Sequence, residues 1–173
     1  MAPVIETERL RLRSRTIADL DDNWAMDMDP QVHRFIWSKV PEPDAYRAEL
    51  EMRITSEWPH RGGLWVVEWK DRPGFLGWSA VFPLPDSDQI ELGYRFNRKA
   101  WGQGVATEAG HAVLAFGFEH LGFDPILAVT DFDNHASQHV LHKLGFRDTG
   151  PGTYRKQPVL TFRLDYAAFA AQR

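Results

Sequence analysis

The sequence contains no cysteine and no long apolar run. Without cysteine the chain has no disulfide, no thiolate-bound zinc site and no cysteine nucleophile. No apolar stretch approaches the roughly 18 residues that a membrane-spanning helix needs, and the first residues lack the basic start and apolar centre of a secretory signal. We therefore expect a soluble, cytoplasmic protein that does not act at a membrane.

A surplus of basic residues is also missing. The formal net charge is -4 and the pI is near 6.0, which gives no general attraction to a phosphate backbone. The arginines between Arg9 and Arg15 alternate with Leu10 and Leu12, as expected for the solvated face of a strand. Nucleic acid is therefore not an expected partner.

The composition and pattern that are present indicate one globular domain over 1–173. The 173 residues are 43% hydrophobic, enough for one core, and they contain no repeat or long linker. The predicted elements, in order, are a strand over 8–14, a helix from Thr16 that Pro30 ends, a helix over 43–58, strands over 64–69, 75–81 and 89–96, a helix over 104–121, a strand over 126–130, a helix over 134–144, and strands over 146–149 and 159–164.

Short connections between the three consecutive central strands predict an antiparallel meander. The helix over 104–121 carries two apolar stripes, which favours a central position. The fold class is therefore α+β, with a mixed, mostly antiparallel central sheet of about seven strands and helices on both faces.

Two glycines mark the junction between the last meander strand and this helix, in Trp101-Gly-Gln-Gly-Val-Ala-Thr107. A helix N-terminus exposes unpaired N–H groups and attracts phosphate. Gly102 and Gly104 leave clearance for such an anion, Thr107 adds a hydroxyl, and the first carboxylate, Glu108, comes later. A plain strand-to-helix turn remains equally open. The dinucleotide fingerprint fits less well, because Thr107 stands at its third glycine position.

Three segments in order, 90–96, 101–109 and 134–146, resemble the GNAT superfamily of acetyl-CoA-dependent N-acetyltransferases. The chain looks most like the branch that includes the ribosomal-protein alanine N-acetyltransferases, whose opening strand resembles residues 7–13. The resemblance implies a GNAT-type fold, acetyl-CoA as cosubstrate, no metal, and direct acetyl transfer to a primary amine. One departure is Trp101, which stands where Gln or Arg is commoner in the superfamily.

The resemblance also implies the residues that contact coenzyme A. Backbone amides from Gln103 to Thr107 would hold its pyrophosphate, and the pantetheine arm would lie along the last meander strand. Asn134 would contact the arm, although capping of the following helix is sufficient reason for an asparagine there. The expected cofactor-binding residues are Tyr94, Phe96, Trp101, Gly102, Gln103, Gly104, Val105, Ala106, Thr107 and Asn134.

Two further residues are candidates for catalysis. Glu91 is the candidate general base, since alternation places it on the strand face opposite its apolar neighbours; an ordinary solvated glutamate is the alternative. By resemblance, the tyrosine that protonates the thiolate in many members would fall at Leu141. Ser137 is the branch's usual substitute, and local bonding to backbone is its alternative role. Trp24 and Trp37 are the expected acceptor-binding residues, with packing in the core as the alternative.

His135, His139 and His142 share one face of the helix over 134–144, a spacing that can bind a metal. Since Ala136, Val140 and Leu144 occupy the opposite face, we expect solvated histidines and no metal.

Two other functions remain open: a non-catalytic acyl-CoA-binding module, and a transferase that uses a longer acyl-CoA. The sequence does not decide between a protein N-terminus and a small-molecule amine as acceptor, or between a monomer and a homodimer.

Overall fold

The computed structural model describes residues 2–36, 39–56, 62–84 and 87–172. These residues form a mixed sheet flanked by helices. The strands are β1 (Ile5–Glu6), β2 (Leu10–Ser14), β3 (Gly63–Trp69), β4 (Gly77–Pro83), β5 (Ile90–Phe96), β6 (Ile126–Thr130), β7 (Arg147–Tyr154) and β8 (Gln157–Leu164). The helices are α1 (Leu20–Met28), α2 (Pro30–His33), α3 (Pro43–Thr55), α4 (Val105–Glu119), α5 (His135–Lys143) and α6 (Tyr166–Ala170), with short 3-10 helices at Ile17–Asp19 and Arg98–Ala100.

The 8-stranded sheet has the order β1-β2-β3-β4-β5-β6-β8-β7. Strands β1 to β5 form an antiparallel meander, β5 pairs with β6 in parallel, and β6, β8 and β7 are again antiparallel. The expected mixed, mostly antiparallel sheet is confirmed. The strand that the sequence pattern did not indicate is β1, whose two residues are too few for a visible alternation.

The ladder between β5 and β6 is short and ends at Glu91. It joins Ile90 to Ile126 and Glu91 to Leu127; from there to Phe96, β5 pairs with β4 but no longer with β6. The Asn97 N–H donates to the Leu76 C=O at 2.8 Å, so the odd-numbered positions of β5 direct their backbone groups toward β4. The backbone of Tyr94 therefore faces the gap that opens between β5 and β6.

Helices cover both faces of the sheet. Trp65 and Val67 lie in one buried cluster with Val105 and Val113 of α4, whereas Val66, between them on β3, packs with α1 and α2 on the opposite face. Helix α4 is buried on two sides, as predicted from its stripes. None of the helices in the described ranges is long and apolar enough to cross a membrane.

Local interactions explain where the elements depart from the predictions. Strand β2 begins at Leu10 because Thr7 closes a turn: its Oγ1 accepts the Leu10 N–H at 2.9 Å. The helix predicted from Thr16 starts as a 3-10 turn whose Asp19 carboxylate accepts the Thr16 N–H at 2.8 Å. Strand β7 runs through Pro151, since an edge strand tolerates a residue without an N–H.

Candidate active site

The loop before α4 holds a series of unpaired amides. Gly102 and Gly104 have φ of 71° and 77°, the left-handed region that favours glycine. The first helical bond runs from the Glu108 N–H to the Gly104 C=O at 3.0 Å. Within the described chain, no protein acceptor bonds the backbone N–H groups of residues 102–107. A Cβ built at Gly102 would meet no atom within 4 Å, so the space in front of these donors is open.

The side chains around this loop leave the amides accessible. Trp101 is exposed, and its indole N–H donates to the Phe96 C=O at 2.8 Å, so this donor is already used. The Gln103 side chain donates to the Lys99 C=O. Val105 is buried and anchors the first turn in the core, while Ala106 and Thr107 are half-buried beside it.

Glu108 is bound to the N-terminal segment. Its carboxylate accepts the Thr7 hydroxyl at 2.6 Å, the Arg9 N–H at 3.0 Å and the Arg9 Nε at 2.7 Å. Burial acts to raise the pKa of Glu108, but these hydrogen bonds outweigh it and lower that pKa. The Arg9 Nη2, which pairs with Glu108 Oε2 at 2.6 Å, lies 3.3 Å from the position of a Cβ on Gly104, so an ion pair stands beside the loop. The sequence pattern indicated only a solvated face for Arg9.

Glu91 is buried, and the solvated alternative for this residue is wrong. It is only 4% exposed, and burial raises the pKa of its carboxyl to about 7. The Tyr154 hydroxyl donates to its Oε1 at 3.3 Å, and this bond and the charge of Arg155 partly offset the effect of burial. A carboxyl with a pKa near neutrality has the property that a general base needs.

Tyr154 reaches Glu91 from the tip of the β7–β8 hairpin. Strand β8 pairs with β6 only from Leu164 back to Leu160, so the tip extends beyond the last residue of β6. Arg155 and Lys156 form the turn, both with positive φ. The sequence analysis missed Tyr154, because nothing in the local pattern shows which strand a hairpin tip will meet.

A second polar pair lies on the α4 side of the gap. The Tyr94 hydroxyl is 2.9 Å from the Ser137 Oγ and donates to the Ser137 C=O at 3.3 Å, and burial raises the pKa of Tyr94 to about 12. Ser137 therefore bonds a side chain on β5 through its hydroxyl instead of nearby backbone. Leu141 is 1% exposed and belongs to the core. The Asn134 Oδ1 accepts the Ser137 N–H at 3.2 Å, which confirms the predicted cap of α5.

The remaining candidate residues lie farther from this pair. Trp24 is half-buried on α1, and its indole N–H donates to the Pro43 C=O at 3.2 Å; Trp37 lies outside the described residues. His135, His139 and His142 are exposed, and so is Ala136, which was expected on the buried face. In the ranges that the structure describes, no three His, Asp or Glu side chains are grouped to hold a metal ion.

Residues 9–147 match the family model described as "Acetyltransferase (GNAT) domain". The N-acetyltransferase YoaA of Bacillus subtilis is 29% identical over 152 residues, 87% of this chain and 86% of that protein. An Aspergillus fumigatus protein named FsC-acetyl coenzyme A-N(2)-transacetylase is 28% identical over 153 residues, 83% of this chain and 64% of the relative.

Solved structures share the fold. A GNAT-family acetyltransferase from Bacillus anthracis superposes with a TM-score of 0.78 at 21% identity, covering 94% of this chain and 98% of that one. The ribosomal-protein-S5-alanine acetyltransferase from Vibrio fischeri gives a TM-score of 0.74 at 17% identity, covering 95% and 97%. With the family match over most of its length, the chain belongs to the GNAT family of acetyltransferases.

Proposed function

We propose that this acetyltransferase moves the acetyl group of acetyl-CoA to a primary amine by direct attack, with Glu91 as general base. One observation carries the proposal: the β5–β6 ladder ends at Glu91, so a buried carboxyl with a pKa of about 7 stands at the inner end of the gap. The gap opens toward the C-terminal end of β5, and the loop with the unpaired amides follows that end.

The residues around the gap fit coenzyme A. The N–H groups of residues 102–107 and the open space at Gly102 suit a diphosphate, because a helix N-terminus attracts anions. The backbone of Tyr94 can pair with the amides of a pantetheine arm as a neighbouring strand would. We assign Phe96, Trp101 and Asn134 to the walls of the same channel. When bound, acetyl-CoA supplies the acetyl group as an activated thioester.

The pKa of Glu91 favours an α-amino acceptor. Transfer of a proton from an α-ammonium group, with a pKa of about 8, to a base with a pKa of about 7 costs about 1 kcal/mol. The same transfer from a lysine ammonium, with a pKa of about 10.4, costs about 5 kcal/mol. A neutral α-amine can therefore be formed at Glu91 with little help, whereas a lysine side chain needs a stronger base.

Polar groups of β5 and α5 can stabilise the charges that develop on the thioester. The Tyr94 N–H faces the gap, and we assign it as the donor to the carbonyl oxygen. The Tyr94 and Ser137 hydroxyls can hydrogen-bond the departing thiolate. With a pKa of about 12 against about 8.5 for a thiol, full proton transfer from Tyr94 would cost about 5 kcal/mol, so water is the better final proton source.

The acceptor in this proposal is a protein N-terminus or a small-molecule α-amine, bound on the Glu91 side of the sheet near Trp24. Two relatives support amino acceptors by their names, one an N(2)-transacetylase and the other an alanine acetyltransferase of a ribosomal protein. The ribosomal branch is the finer assignment that we propose within this class.

A turnover screen with acetyl-CoA across α-amines, lysine analogues, polyamines and aminoglycosides, with released thiol as the readout, tests the proposal. On the best acceptor, Glu91→Gln should lower kcat by about 10²–10⁴-fold. Its affinity for coenzyme A, measured by calorimetry, should be unchanged. Glu8→Gln is the matched control, since Glu8 is exposed.

Either of two results would count against this function. Full activity of Glu91→Gln would remove Glu91 as the base. Binding of coenzyme A without turnover on any amine would instead favour a non-catalytic acyl-CoA-binding module, and preference for a larger thioester would change the donor.

A further inference from the structure

A hydrogen bond links Tyr154, at the tip of the β7–β8 hairpin, to Glu91. We propose that Tyr154 is a positioning residue for the general base, holding Oε1 of Glu91 so that Oε2 receives the proton of the attacking amine. This inference rests on the proposed function, because it requires Glu91 to act as the base.

The position of the hairpin supports this role. Glu91 lies on β5 and Tyr154 on β7, with β6 and β8 between them in the sheet, yet the two side chains meet at 3.3 Å. Because the tip extends past β6, it can bend over the sheet and reach the face that carries Glu91. A register shift between Asp148 and Gly150 occurs on the same strand, and such irregularities bend strands.

The two carboxylate oxygens of Glu91 therefore differ in their hydrogen bonding. Tyr154 donates to Oε1, and in the described part of the chain no hydrogen bond is made to Oε2. The α-ammonium group gives one proton to Oε2, and the neutral amine then attacks the acetyl carbon. As the carbon–sulfur bond breaks, the second amine proton passes to water, and water protonates the departing thiolate. Oε1 then becomes the carbonyl oxygen of a neutral carboxyl group and continues to accept the Tyr154 hydroxyl.

Tyr154 acts in this scheme as a donor that keeps its own proton. Burial, and then the neighbouring Glu91 charge, raise the pKa of Tyr154 above its ordinary value, so it does not ionise near neutral pH. The groups in the described chain whose charge or hydrogen bonds act on the Glu91 carboxyl are Tyr154 and Arg155, and both belong to the hairpin. Both favour the ionised carboxylate, which is the form that accepts a proton.

The test is the pH dependence of kcat/KM for Tyr154→Phe, which removes the hydroxyl and keeps the ring. Loss of the hydrogen bond should raise the pKa of Glu91, and with it the acidic limb of the kcat/KM profile, by about half to one pH unit. The reason is that one such bond contributes about 0.5–1.5 kcal/mol. Activity should then fall several-fold at pH 6 and little at pH 9. Tyr166→Phe is the matched control, because Tyr166 lies on α6 and is 44% exposed.

The turn offers a second matched pair. Arg155→Ala should also move the acidic limb to higher pH, because it removes a positive charge near Glu91. Lys156→Ala changes the next residue of the same turn, where φ is 66°, and should leave the limb in place. Equal shifts of the acidic limb in the two alanine variants would mean that distortion of the hairpin causes the shift. That result would overturn the assignment of Tyr154 as a positioning residue.

A direct titration separates this inference from the proposed function. The Glu91 carboxyl carbon, identified by its loss in Glu91→Gln, can be followed by NMR in the protein alone. Its pKa should rise in Tyr154→Phe. An unmoved carboxyl pKa together with an unmoved acidic limb refutes the role of Tyr154 while leaving Glu91 as base. Absence of turnover by the parent protein, with the shift present, refutes the proposed function.

Discussion

At the scale of single residues, the buried Glu91 carboxyl opposes folding when it is ionised. Its pKa is raised from 4.5 to about 7 in the folded chain, so between these values the folded state binds a proton that the unfolded state has released. The stabilising effect of the neutral carboxyl is complete below about pH 4.5 and is lost as the pH rises through about 7. By linkage, the ionised form costs about 3 kcal/mol above that pH.

Glu91→Gln should therefore be more stable than the parent at pH 8, by up to about 3 kcal/mol, and close to it at pH 4.5. Glutamine keeps the shape of the neutral acid and has no charge to desolvate. Urea unfolding at several pH values gives the free energy of unfolding of both proteins. In the difference between the two values, the contributions of the other titrating groups cancel. A difference that does not change with pH would show that Glu91 has an ordinary pKa. Loss of activity combined with gain of stability is typical of a functional residue.

At the scale of elements, glycine before the N-terminus of α4 both adopts a positive φ and leaves space for an anion at the amides. Mutation can separate these two effects. Gly102 and Gly122 flank the same helix, have φ of 71° and 66°, and at neither would a Cβ meet an atom within 4 Å. Alanine at either position should cost about 1–2 kcal/mol of backbone strain. Only Gly102→Ala places a methyl group in the open space at the loop that carries the unpaired amides.

We therefore expect both alanine variants to lose similar stability in thermal unfolding, while Gly102→Ala alone weakens coenzyme A binding by about tenfold or more in calorimetry. The physical reason is that a methyl group at Gly102 holds a diphosphate away from the donors. Equal affinities of the two variants for coenzyme A would mean that the loop is a plain strand-to-helix turn. That was the alternative left open by its sequence.

The elements also show how much of the site was predictable from the sequence. The glycine loop, the alternation that places Glu91 on the face of β5 opposite its apolar neighbours and the Asn134 cap are local signals, and the structure has all three elements where they were expected. Tyr154 and Arg9 contact residues 63 and 99 positions away, respectively, and Tyr94 meets Ser137 over 43 positions. Such contacts depend on hairpin length, strand register and sheet twist, which no local pattern encodes.

At the scale of the whole molecule, Asp27 joins the helical layer to the strand that carries the candidate base. It is 1% exposed, its Oδ1 accepts Arg95 of β5 at 2.6 Å, and its Oδ2 accepts Tyr46 of α3 at 2.6 Å and Asn23 of α1 at 2.8 Å. Arg95 lies four residues after Glu91 on the same face of β5. One carboxylate thus connects two helices to the face of the sheet that carries Glu91.

Asp27→Asn should destabilise the fold by about 3–5 kcal/mol, because it removes the negative charge of a buried pair in which Asp27 meets the Arg95 guanidinium at 2.6 Å. Asp22→Asn, an exposed change on the same helix, should alter stability by less than about 0.5 kcal/mol.

Tyr46→Phe, which removes one hydrogen bond to Asp27 and keeps the charges, should cost about 1 kcal/mol and supplies a folded variant for kinetics. In that variant the KM of the amine should rise while coenzyme A affinity stays constant, since α4 lies on the opposite face of the sheet. A parallel loss of coenzyme A affinity would mean that the two layers are coupled through the sheet, and that the acceptor side is not organised independently by Asp27.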